Sequence, residues 1–176
     1  MPGMLALATE LEGHADNVAA SLFGGIVATA AGHAVRIPLA FDPAIVVWIP
    51  SFTTSTDESR TKMGSDVPLG DAVFNIGRTA LLVAALAAGD TAALRCATQD
   101  RLHQDLRLAA VEPSKEALQA ALDAGAWCSW LSGSGPTVAA MCPFDDADEL
   151  AASMPISGHT KVLRIDHGGA VIEADD

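Results

Sequence analysis

Trp130-Leu131-Ser132-Gly133-Ser134-Gly135-Pro136-Thr137-Val138 sets two glycines, two serines and a proline between two apolar runs, 126–131 and 137–142. Glycine supplies positive φ and proline a fixed one, so the segment reads as the turn of an antiparallel hairpin. Just upstream, Pro113-Ser114 opens a helix with Leu118, Ala121 and Leu122 inward, and Gly125 closes it. Before that, Asp71 reads as the N-cap of a helix through Ala88. Its apolar residues (Val73, Phe74, Ile76, Leu81, Val83, Leu86) fall on nearly every side, which predicts burial. Gly89-Asp90 stops it. Residues 91–108 read as one more helix, with Leu94, Leu102 and Leu106 on a stripe and His103 and Arg107, four apart, pointing the same way.

The β-branched run Ile45-Val46-Val47-Trp48-Ile49, ended by Pro50, predicts a buried strand. After the hairpin, a short helix over 146–154 and strands over 162–165 and 170–173 complete the chain. At the other end, helices flank the polar cluster Glu12-Gly13-His14-Ala15-Asp16-Asn17, with Asp16 or Asn17 as cap of the second. Gly24-Gly25 breaks that helix, and 26–29 and 34–38 read as short strands. Residues 51–65, rich in Ser, Thr and charge, have loop chemistry. Helices and antiparallel hairpins in this order predict an α+β fold, an antiparallel sheet with helices packed on one face. A shift in composition at Asp42-Pro43 predicts a domain boundary there, dividing 1–42 from 43–176.

Composition narrows the function classes. Among 176 residues, 50% are hydrophobic and 18% charged, which excludes disorder and low complexity. A net charge of −12 repels phosphate backbones and anionic headgroups, so neither nucleic acid nor a membrane is expected as a partner. The longest clean apolar run, 80–88, is about half of the roughly 20 residues that span a bilayer. No basic residue precedes Arg36, so no signal peptide is expected. Three cysteines without a C-x-x-C spacing predict neither a disulfide framework nor a zinc site, and fit a reducing cytoplasm.

Three clusters carry chemistry. The acid, imidazole and amide packed into residues 12–17 suit a cationic or hydroxyl-bearing ligand, or else only cap a helix. The Gly133-Ser134-Gly135 loop lets backbone N–H groups approach a ligand, or else only turns the chain; no G-K-[ST] follows it. Arg60 and Arg107 are two of ten basic residues and form either an anion clamp or two surface ion pairs. Five histidines show no H-x-H or H-x-x-x-H spacing, and no G-x-S-x-G elbow is present.

In order, E-L-E-G-H-A-D-N-V-A-A-S-L-F-G-G from Glu10, V-P-L-G-D-A-V-F-N-I-G-R from Val67 and W-L-S-G-S-G-P-T-V from Trp130 resemble the homoserine kinase family of the GHMP small-molecule kinases. The resemblance runs over nearly the whole chain, and L-S-G-S-G-P-T is similar to the superfamily's third motif. Ala15 stands where the family usually has proline, and Asp105-Leu106 where Pro-Tyr is usual. The family's phosphate loop, P-x-x-x-G-L-G-S-S-A, does not occur in these residues. The expectation is therefore a C-terminal GHMP kinase domain preceded by the tail of a ribosomal-S5-like N-terminal domain, itself neither binding ATP nor phosphorylating.

The resemblance implies ATP-dependent phosphorylation of the L-homoserine side-chain hydroxyl in threonine biosynthesis, with ATP and Mg2+ as cofactors. It implies that His14, Asp16 and Asn17 line the amino-acid site, Asp16 facing the ammonium and Asp16 and Asn17 standing nearest catalysis. Arg60 and Arg107 would hold the carboxylate, Gly133, Ser134 and Gly135 would shape the floor, and Glu10 or Glu12 would reach magnesium. Two alternatives stay open: another GHMP kinase, for mevalonate-like or sugar substrates, and a non-catalytic interaction or regulatory module. A homodimer is left open as well.

Overall fold

The computed structural model describes residues 2–52 and 66–171. The chain forms two compact units, Met1–Leu39 with Ile165–Asp176, and Ala40–Arg164.

In the first unit, α1 (Pro2–Glu12) and α2 (Asp16–Phe23) precede a hairpin of β1 (Ile26–Ala30) and β2 (His33–Ile37). Register runs from Ile26↔Ile37 to Ala30↔His33. Ala31 and Gly32 both take positive φ, as a two-residue hairpin turn matching strand twist requires. Helix α2 starts at Asp16 with Ala15 in the cap position, and no side chain bonds there, so the expected Asp or Asn cap does not form. Asp16 instead accepts from the adjacent Asn17 N–H at 2.8 Å and puts its charge in the first turn, favourable to the helix dipole. The C-terminal segment returns here: Gly25 N–H donates to the Asp166 carbonyl (2.7 Å), and Arg36 donates to the carbonyls of Phe23 and His167. The approach is close enough that a Cβ on Gly24 would lie 2.6 Å from the Gly169 nitrogen. Only glycine fits, and φ of +68° asks for it independently.

The second unit is built on a four-stranded antiparallel sheet. Its strands are β3 (Ala44–Pro50), β4 (Cys128–Leu131), β5 (Val138–Cys142) and β6 (Gly158–Arg164), in the order β4-β5-β3-β6. Strand β3 lies between β5 (Val46↔Ala140) and β6 (Val46↔Val162), a split β-α-β arrangement. Burial along β3 alternates, with Ala44, Val46 and Trp48 fully buried. Those three meet Val138, Ala140 and Cys142 of β5 and the helices α6 (Glu112–Asp123) and α7 (Ala147–Ser153) through Ala117, Ala121, Ala147 and Leu150. The core thus sits between one sheet face and its helices, as the α+β pattern predicts. Trp48 satisfies its buried indole N–H on the Pro155 carbonyl at 2.9 Å.

Between β3 and β4 run α3 (Leu69–Ala88), α4 (Thr91–Ala97), α5 (Gln104–Ala110) and α6. Helix α6 ends in a Schellman motif: Gly125 (φ +94°) bonds Leu122 and Ala126 bonds Ala121. Several local expectations are corrected. Helix α3 begins at Leu69 with Pro68 as cap, and Asp71 lies in its first turn. It buries only Ala85 and Leu86, while Val73 (60% exposed) and Ile76 (70%) face outward. An all-round apolar helix predicts burial, but within this unit only part of its circumference is covered. By length and composition alone it is also apolar enough to cross a membrane, with a mean hydropathy of 1.4.

The single helix expected over 91–108 is two. Thr98 turns its hydroxyl back to the Leu94 carbonyl, and Asp100 Oδ1 takes the N–H groups of Leu102 and His103. Side-chain hydrogen bonds thereby outcompete the helical ladder across 98–103. Leu106 is exposed as a result, and Leu108 is the buried apolar residue of α5. Residues 170–171 form no strand, and the rest of that expected strand lies outside the described residues.

Candidate substrate site

Residues 10–17 form one segment at the α1–α2 junction. Glu10 and Glu12 lie on α1, Gly13 (φ +87°) turns the chain, and His14, Asp16 and Asn17 follow, all exposed. Three hydrogen-bonding side-chain types are thereby grouped within four positions. Arg60 lies outside the described residues.

In the second unit the Gly/Ser loop joins β4 to β5 as expected. Ser132 N–H donates to Thr137 O (2.8 Å) and Gly135 N–H to Ser132 O (2.9 Å), which leaves Gly133 and Ser134 as the loop's candidates to face a ligand. Gly133 and Gly135 take φ of +56° and +74°, and a Cβ at Gly135 would meet the Leu131 side chain at 2.8 Å. Arg107, on α5, reaches this loop with Nη1 3.4 Å from the Gly133 carbonyl. Structure therefore brings Arg107 and Gly133-Ser134-Gly135 together. His103 does not share that direction: its Nε2 is 2.8 Å from Asp100 Oδ2.

Two residues that hold this loop were not singled out in the sequence. Gln104, 7% exposed, accepts the Leu131 N–H on Oε1 at 2.7 Å, at the loop's entry. Ser114, fully buried, donates its hydroxyl to the Pro136 carbonyl at 2.6 Å, at the exit. Ser129, the third buried polar side chain among the described residues, donates to Ala139 O (3.1 Å) across the same hairpin. Buried polar groups cost stability unless paired, so their concentration here marks a loop whose shape is specified. The available signal was faint: a serine at the start of an apolar helix and a glutamine three before Arg107.

The segment feeding α5 is pinned too. Asn75 Oδ1 accepts the Arg101 N–H at 3.0 Å. Burial works to raise the Asp100 carboxyl pKa. Hydrogen bonds from His103 N–H, the Asn75 side chain and Leu102 N–H, with the His103 charge, outweigh it and hold Asp100 below its ordinary range. Cys128 goes the other way: burial pushes its thiol up to about 12, against smaller lowering by hydrogen bonds from Met141 and Thr98.

The antiparallel sheet with helices on one face is the C-terminal fold of the GHMP kinases, and residues 82–160 match the family described as "GHMP kinases C terminal". The chain is similar to homoserine kinases over nearly its whole length. It is 36% identical over 179 residues to homoserine kinase of Prochlorococcus marinus, covering 95% of this chain and 57% of that protein. With homoserine kinase of Moorella thermoacetica it shares 48% over 143 residues, 79% of this chain and 48% of the relative. The crystal structure of homoserine kinase from Cytophaga hutchinsonii superposes with a TM-score of 0.82 at 27% identity, covering 89% of this chain and 53% of that one. The chain thus spans about half the length of the relatives it matches.

Proposed function

We propose that this chain is the acceptor-binding, C-terminal portion of a cytoplasmic homoserine kinase, the complete protein moving the γ-phosphoryl of ATP to the side-chain hydroxyl of L-homoserine in threonine biosynthesis. What carries the reading is Arg107 poised on the clamped 132–136 loop, in a chain similar to homoserine kinases over nearly its whole length. A zwitterionic substrate presents two charges. Arg60 and Arg107 answer its carboxylate, and Asp16, with His14 and Asn17 beside it, answers its ammonium, leaving the hydroxyl free for transfer. Gly133, Ser134 and Gly135 supply backbone close to the substrate.

A loose phosphoryl-transfer transition state asks for positioning and charge neutralisation rather than a strong base. Bound Mg2+ would supply that neutralisation at the phosphates. Glu10 or Glu12 offers the hard carboxylate oxygen it prefers. Among the described residues no three acidic, His or Cys side chains converge on a metal site. Mg2+ takes one or two protein carboxylates and completes its shell from water and phosphate. The test is kcat/KM of the complete protein for L-homoserine, mevalonate and galactose with Mg-ATP. Homoserine is the expected preference, and preference for either of the others overturns the reading.

A further inference from the structure

A cavity of about 520 Å³ opens among the helices of the second unit, apart from the candidate substrate residues. Leu108, Leu118 and Leu122 line it, together with Arg78, Arg95 and Arg101. These are three of the chain's ten basic side chains, gathered in a protein of net charge −12.

Their partners differ in kind. Arg101 pairs with Asp71 at 3.6 Å. Arg78 donates to the Gln99 carboxamide (3.2 Å), and Arg95 to the carbonyls of Leu122 (3.0 Å) and Ala126 (3.4 Å), all neutral acceptors. Among the described residues neither Arg78 nor Arg95 forms an ion pair with a carboxylate. Arg78 Nε is buried without any acceptor. Phe74 carries both Arg78 and Arg101 over its ring, at 4.2 and 3.9 Å, which fixes the two guanidiniums in place.

Two carboxylates also line the cavity, Asp100 and Asp105. Asp100 is engaged by the N–H groups of Leu102 and His103 and by the His103 ring, and Asp105 is exposed. Neutral dipoles stabilise a guanidinium less than an anion does, and a buried N–H without an acceptor is destabilising. Two guanidiniums on neutral acceptors and three leucines in one lining match a ligand with a charged end and an apolar body.

We propose that this cavity binds a small organic oxyanion, a carboxylate or phosphate monoester, whose charged group sits between Arg78 and Arg95 and whose apolar part rests on Leu108, Leu118 and Leu122. The site lies wholly within residues 74–129, so the chain itself suffices for the test. Arginine Nε–H signals would be followed by NMR during titration with 4-methylpentanoate, with isobutyl phosphate, and with uncharged 4-methylpentanol. Saturable shifts at Arg78 and Arg95 are expected with at least one anion, at a Kd on the order of 1 mM, and none with the alcohol. Which anion saturates identifies the source. R95Q, on an exposed position of α4, is expected to weaken binding by about tenfold, and R78Q similarly if it folds. Absence of saturation with both anions, equal binding of the alcohol, or unchanged affinity in a folded R95Q would overturn the assignment.

Discussion

Replacing Ser114 by alanine removes one oxygen atom from a fully buried position and leaves the Pro136 carbonyl without the hydroxyl that now donates to it at 2.6 Å. Volume changes little, so the cost is that of the hydrogen bond. A typical bond contributes about 1 kcal/mol net, and stranding the part-buried Pro136 acceptor adds to that, for a loss of about 1–2 kcal/mol. The three tryptophans, Trp48, Trp127 and Trp130, all lie in the second unit, so their fluorescence in a urea titration reads that unit alone. With a slope of about 1–3 kcal/mol/M, the midpoint should fall by roughly 1 M. Amide exchange at Gly133 and Ser134 should quicken alongside, because the loop loses its exit anchor while Gln104 still holds its entry. An unchanged midpoint together with unchanged loop exchange would show that the hydroxyl does not clamp the loop.

On the proposed function, Arg107→Ala in the complete protein should lower kcat/KM for homoserine by about 30- to 1,000-fold, or roughly 2–4 kcal/mol, and Arg107→Lys should restore part of it; unchanged kinetics would make Arg107 a surface ion-pair residue. Native-state alkylation near pH 8 should modify Cys96 alone: burial keeps the Cys128 thiol near 12 and, with the Asp146 charge adding to it, raises Cys142. Labelling of Cys128 in the folded protein would contradict that. Asp100, whose folded pKa is depressed, contributes stability above its unfolded pKa and loses it as pH falls through the folded one. The difference in melting temperature between wild type and Asp100→Asn should therefore shrink on acidification below the ordinary carboxylate range; a constant difference would refute the role.

How much was legible follows the range of the interactions involved. The hairpin around Ser132-Gly133-Ser134-Gly135-Pro136, the alternation along Ile45-Val46-Val47-Trp48-Ile49 and the Gly125 terminus are local: φ preference, pleat and capping act within a few residues of their cause. They specify an α+β chain with its helices on one sheet face, and the three ordered motifs pointed to a GHMP kinase C-terminal fold. The division of 91–108 into two helices was not legible, because it depends on Asp100 winning backbone N–H groups that a periodic pattern assigns to the helix. The exposure of α3 was not legible either, since periodicity reports what a helix face prefers and not what stands against it. Ser114 and Gln104 act at sequence distances of 22 and 27 residues, on backbone atoms whose identity leaves no trace in side-chain pattern. The sequence by itself determined which turns, strands and motif residues exist; only the tertiary structure decided which of them meet, because a long-range hydrogen bond is chosen by packing and not by any neighbour along the chain.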